Sequence, residues 1–198
     1  MQQGAHIDTN PTPSKITETK GDLFDAPDGA ALIHACNCIG SWGAGIARAF
    51  RTKYPAAYRI YEAHCRAYLK DPQYRNISAS ETSSTSKTAS RNTRLLEATT
   101  LIIPPQRRDY ERSKGRKHYI ICLFTSRGFG RSVSGVDVIL QNTELAVANL
   151  KEQLEELKES EILPVQFWSV WSEMALTKRI LEESGLEILV VRPPNEKE

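Results

Sequence analysis

Two observations predict a mixed β-sheet sandwiched between helices, a three-layer α/β/α fold. Strands and helices interleave along the chain in the order β, β, α, α, β, β, α, β, α, β. Several strands are continuous apolar runs rather than alternating ones, as expected where helices cover both faces of a sheet. Ligands in such folds sit where C-terminal strand ends meet helix N-termini.

Residues 1–14 carry Gly4, Pro11 and Pro13 without periodicity and read as a flexible tail before a single domain at 15–194. Residues 15–20 alternate Ile16 with polar side chains, a short strand. Asp28-Gly29 marks a turn, and residues 30–35 a buried strand. A glycine-rich loop at 40–45 leads into a helix expected near Gly43, with Ile46, Phe50 and Tyr54 at helical spacing. Pro55 restarts the chain as a second helix over 56–69. Residues 78–94 have no apolar side chain larger than alanine, so they read as a disordered insert within the domain. Strands follow at 95–103, ended by Pro104-Pro105, and at 118–125, where His118 reads as a surface or edge residue. After a second glycine-bearing turn at 126–131, Val136, Leu140, Thr143, Val147, Leu150, Leu154 and Leu157 alternate spacings of four and three. That is a long amphipathic helix, with Ser134 and Asp137 resembling a capping box. A strand at 164–170, a helix at 172–184 with Gly185 as its C′ residue and a strand at 186–192 complete the order.

The composition bounds the function. With 40% hydrophobic and 25% charged residues, a chain of 198 is an ordinary globular domain, which excludes wholesale disorder. A net charge of +2 gives no reason for a nucleic-acid partner but allows a small anionic ligand. No apolar run approaches a membrane span, and the polar N-terminus lacks the apolar core of a secretory signal. Four scattered cysteines do not make a disulfide framework. The expectation is a reduced cytoplasmic or nuclear monomer with a small-molecule partner, no membrane contact and no cofactor.

The segment from Leu32 to Ile46 (LIHACNCIGSWGAGI) is the most informative. A buried strand enters a loop with three glycines and passes straight into a helix. Glycines let backbone N–H groups approach a ligand, and a helix N-terminus adds unpaired N–H groups and a positive dipole end. This suits a phosphate or diphosphate; a tight strand-to-helix connection without a ligand fits the spacing about as well. The loop matches neither the P-loop nor the dinucleotide fingerprint. His34, Cys36 and Cys38 suggest zinc, but a fourth ligand is missing and Cys38 lies in the loop, so no metal is expected.

Lys20-Gly21-Asp22-Leu23-Phe24, then Leu32 to Cys38, then Gly40-Ser41-Trp42-Gly43-Ala44-Gly45-Ile46-Ala47 together resemble the macro domains, and most closely the fungal ADP-ribose 1″-phosphate phosphatases. The resemblance covers roughly residues 16–157 and implies an α/β/α sandwich with ADP-ribose or a derivative in a cleft above the sheet. It implies that Asp22 accepts from the adenine amine, that Asn37 contacts the distal ribose and that Gly43, Ala44, Gly45 and Ile46 hold the diphosphate. Gly21, Leu23, Ala35, Cys36 and Ala47 fall in the same contact stretches, and Trp42 would wall the cleft. His34 would act as a general acid. The activity implied is removal of the terminal phosphate of ADP-ribose 1″-phosphate, a by-product of tRNA splicing. Two other functions compete: an ADP-ribose reader without turnover, and a hydrolase removing ADP-ribose from protein glutamate. The last relies on a lysine where this chain has Ser126. One departure stands out. Macro domains carry a late Asn-Ser-Gly-type phosphate loop, which in the phosphatases comes with a catalytic aspartate. Here the strand passes through Trp171-Ser172-Glu173-Met174 with neither glycine nor aspartate.

Overall fold

The computed structural model describes residues 16–78, 90–113, 116–158, 164, 166–170 and 175–192. The elements are β1 (Ile16–Lys20), β2 (Ala31–Asn37), α1 (Gly45–Lys53), α2 (Pro55–Lys70), β3 (Tyr74–Ile77), β4 (Arg91–Arg94), β5 (Thr100–Ile103), α3 (Arg107–Ser113), β6 (Tyr119–Ser126), α4 (Val136–Lys158), β7 (Phe167–Val170), α5 (Ala175–Glu183) and β8 (Ile188–Arg192). Six strands form one sheet in the order β1-β8-β7-β2-β6-β5. All its neighbours are parallel except β5 and β6. β3 and β4 form a separate antiparallel pair.

Strand alternation divides the core in two. Leu32 and Cys36 of β2 and Ile120, Cys122 and Phe124 of β6 pack with Phe50 of α1, Ala57 and Tyr61 of α2, and Tyr54 between the two helices. Ala31, Ile33, Ile121 and Leu123 face the other way, onto Leu140, Val147, Leu150 and Leu154 of α4 and Ile180 and Leu181 of α5. Apolar side chains on both faces are what made β2 and β6 read as continuous runs. The protein is therefore the expected three-layer sandwich.

Several local expectations are corrected. The strand predicted over 95–103 is confined to Thr100–Ile103, because Ala98 adopts a left-handed φ of 63° that ends the extended run. The predicted insert reaches too far: Arg91–Arg94 pairs with Tyr74–Ile77 and buries Thr93, while residues 79–89 lie outside the described residues. The predicted tail at 1–14 lies outside them as well. α1 starts two residues late because Ala44 remains extended. Ser134 does not cap α4; its hydroxyl accepts the N–H of Arg127 (3.1 Å). α3 was not foreseen, since its charged sequence has no apolar period. His118 is a core residue, only 2% exposed. Tyr54 Oη lies 2.6 Å from its Nδ1 and Ala26 O 2.8 Å from its Nε2, so a buried ring finds both partners it needs.

Candidate active site

β2 and β6 run parallel and end together, which brings two strand-to-helix connections side by side. Their register slips between Cys36 and Asn37, so that Asn37 stands opposite Ser126. The loop after β2 is built around the Asn37 side chain. Its Oδ1 accepts the N–H groups of Ile39 and Ser41 (both 3.2 Å) and the Tyr61 hydroxyl (3.1 Å), and its Nδ2 donates to Ser41 O (2.6 Å). Tyr58 donates to Gly40 O (3.2 Å). Gly40 has φ +77°, and a Cβ there would stand 3.3 Å from that of Cys65, so glycine alone fits this turn. Beyond it, residues 43–46 are exposed. No side chain caps α1, whose first backbone bond runs from Arg48 N–H to Ala44 O (3.1 Å). The N–H groups of Gly45, Ile46 and Ala47 therefore have no partner inside the helix, which suits a bound anion.

Beneath this loop lies an aromatic stack. Trp42 is 1% exposed, stacked on Tyr61 (centroids 4.9 Å apart) and edge-on to His34 (5.0 Å). The His34 ring is 3% exposed and stacks on Phe50 at 4.1 Å. Its nitrogens lie 3.5 and 3.6 Å from Cys36 Sγ. Across the sheet, the turn after β6 is held by two serines. Ser126 Oγ donates to Gly128 O (2.9 Å) and accepts the N–H of Ser134 (2.9 Å). Cys38 N–H donates to the carbonyls of Ser126 (3.1 Å) and Arg127 (3.3 Å), tying the two loops together.

At the opposite edge, where β7 and β8 begin, a cavity of about 300 Å³ is lined by Gln166, Phe167 and Ile188. It lies at the N-terminal ends of the strands, the wrong edge of a parallel sheet for a ligand.

No family model matches the sequence. Whole-chain relatives do. The ADP-ribose 1″-phosphate phosphatase of Aspergillus oryzae is 52% identical over 94% of this chain and 98% of its own length. That of Neosartorya fischeri is 54% identical, over 91% of this chain and 95% of its own. This chain belongs to the ADP-ribose 1″-phosphate phosphatase family. Among solved structures, the macrodomains of Thermus aquaticus DarG (TM-score 0.58, 16% identity, 91% of this chain and 99% of that one) and Mycobacterium tuberculosis DarG (TM-score 0.57, 18% identity, the same coverage) share its fold.

Within this family member, the residues singled out from the sequence separate into two sets. Asp22, Ala35, Gly43, Ala44, Gly45 and Ile46 are exposed along the strand ends and loop, and Gly21, Asn37 and Ala47 are partly so. Asp22 Oδ1 accepts the N–H of Phe24 (2.9 Å), which leaves its other oxygen for a ligand. Leu23, Cys36, Trp42 and His34 are buried instead. Trp42, expected to wall the cleft, lies beneath the loop at 1% exposure. His34 was expected to act on the substrate; its ring lies on the even face of β2, which packs against the α1–α2 layer.

The cysteines do not offer a ready nucleophile. Burial pushes the Cys36 and Cys38 thiols far above their ordinary range and that of Cys65 to about 12, which disfavours the thiolate. The ligand atoms of His34, Cys36 and Cys122 lie within 4.8 Å of one another. Cys122, not Cys38, completes this trio because it stands opposite His34 on β6. The trio is one ligand short of a four-coordinate site, and the Cys36 thiol already contacts both nitrogens of the His34 ring. Ser126 is likewise buried and engaged, so the position offers no amine for lysine-dependent chemistry. The connection at 171–174 lies outside the described residues. Among the described residues, no helix is long and apolar enough to cross a membrane.

Proposed function

We propose that this protein hydrolyses ADP-ribose 1″-phosphate to ADP-ribose and inorganic phosphate. The observation that carries the reading is 51–54% identity, over more than nine-tenths of the chain, to four phosphatases of that name. The geometry is consistent with it. The free oxygen of Asp22 would accept from the adenine amine. The N–H groups of Gly45, Ile46 and Ala47 would hold the diphosphate. The Asn37 Nδ2 donates one hydrogen to Ser41 O, and its second is free for a hydroxyl of the distal ribose. That sequence of contacts leads the terminal phosphate towards the ends of β2 and β6. Water attacks phosphorus there, the bond from phosphorus to the ribose oxygen breaks, and ADP-ribose leaves. His34 serves as a positioning residue: its ring supports Trp42 and Phe50, which support the loop. The protein acts in the cytoplasm or nucleus as a monomer, without a cofactor.

Phosphate release from ADP-ribose 1″-phosphate tests the reading, with ADP-ribose affinity measured beside it. Release by the natural chain is expected. Asp22→Ala should weaken ADP-ribose by about 1–3 kcal/mol, the scale of one lost partner. Tight ADP-ribose binding with no release would overturn the phosphatase reading in favour of an ADP-ribose reader. The absence of glycine and aspartate at 171–174 is the feature that favours that second reading.

A further inference from the structure

Glu97 is a carboxylate whose side chain is 5% exposed; two arginines pair with it, and a third holds its backbone. Its Oε2 lies 3.6 Å from Arg91 Nη1 and its Oε1 lies 3.5 Å from Arg127 Nε. Arg75 Nη2 donates to the carbonyls of Glu97 and Ala98 (both 3.4 Å). Arg75 and Arg127 both stand close enough to act on the charge of Arg91. Two guanidinium groups flank the carboxylate and a third lies on the neighbouring backbone carbonyls, an excess of positive charge that an anion would offset. Arg75 Nε and Gln141 Nε2, both buried, have no hydrogen-bond partner among the described residues. Arg91 is committed, since its Nε donates to Gln141 Oε1 (2.8 Å) and its Nη2 to Asn142 Oδ1. Arg127 is the outlet of the cluster, with a side chain 54% exposed. Its carbonyl accepts from Cys38 N–H, one residue beyond Asn37. The left-handed Ala98 is backbone strain in the turn that carries Glu97, of the kind held at functional sites.

We infer that Arg127, oriented by Glu97 with Arg91 behind it, binds the terminal phosphate and so distinguishes ADP-ribose 1″-phosphate from ADP-ribose. The inference rests on the phosphatase reading and adds its specificity determinant. A guanidinium pre-oriented by a buried carboxylate loses little freedom on binding and presents its remaining donors as a fork to phosphate.

Calorimetry with two ligands, ADP-ribose and a non-hydrolysable phosphonate analogue of ADP-ribose 1″-phosphate, tests it on the full chain. The natural protein should bind the analogue more tightly. Arg127→Ala should weaken the analogue about tenfold, one charge-assisted contact, and move ADP-ribose by less than about twofold. Arg127→Lys should recover part of the difference. Unchanged ADP-ribose affinity also shows that the variant is folded. Equal losses for both ligands, or no loss for either, would overturn the role of Arg127 alone. Equal affinities in the natural chain would do the same. Failure of the natural chain to bind either ligand would overturn the ligand reading of the cleft, and the role of Arg127 with it.

Discussion

The loops after β2 and β6 leave neighbouring strand ends, yet they are held in different ways. The first is anchored from below, with Trp42 inserted among Tyr61, Phe50 and His34, and the Asn37 amide closing the turn above it. The second has no such anchor. Phe129 and Val133 are each more than half exposed, and the turn is closed by the hydroxyls of Ser126 and Ser134. A ring buried under a loop makes the loop's shape part of the core, so the N–H groups at the start of α1 are rigidly presented. Hydroxyls set a local geometry that can change without disturbing the fold. In the proposed function the first loop takes the constant part of the ligand, the diphosphate. The second suits the part that sets specificity.

Variants should separate the two loops, and the largest effect is expected at Trp42. Trp42→Ala empties the centre of the aromatic stack and should lower stability by about 3–5 kcal/mol, read as a shift in the urea midpoint. A shift of a few tenths would mean that the ring does not anchor the loop. Ser126→Ala should cost less, about 1–2 kcal/mol, because it leaves the N–H of Ser134 unsatisfied. Its ADP-ribose affinity should be unchanged, and a loss as large as that of an Asp22 variant would show the two loops to be one unit. The smallest effect concerns His118, far from both loops. Burial lowers its pKa despite the nearby carbonyl of Ala26. The unfolded chain then binds the proton more readily, so stability should be complete above about pH 6.5 and decline as pH falls below it. His118→Gln should flatten that slope; an unaltered slope would exclude His118 as its source.

The comparison also shows what a sequence can and cannot display. The loop after β2 was legible because strand, glycines and helix are contiguous, and the apolar runs of β2 and β6 were legible because helices cover both sheet faces. The direction of the His34 ring was not, since it depends on which face of β2 meets α1. The Glu97 cluster was missed because its members come from β3, β4, the turn before β5 and the loop after β6, which only the fold brings together. One signal was present: Glu97 is the single charge within the otherwise uncharged run 95–103. The trio of His34, Cys36 and Cys122 likewise depends on the β2–β6 register.

In the proposed function the chemistry falls to groups on the cleft, with His34 a support beneath it. The pH dependence of phosphate release by the natural chain and by His34→Asn tests this most directly. If His34 only positions the loop, the variant should be slower at every pH while its profile keeps the same shape. Loss of one limb of the profile in the variant would show that His34 exchanges a proton with the substrate, and would contradict the account.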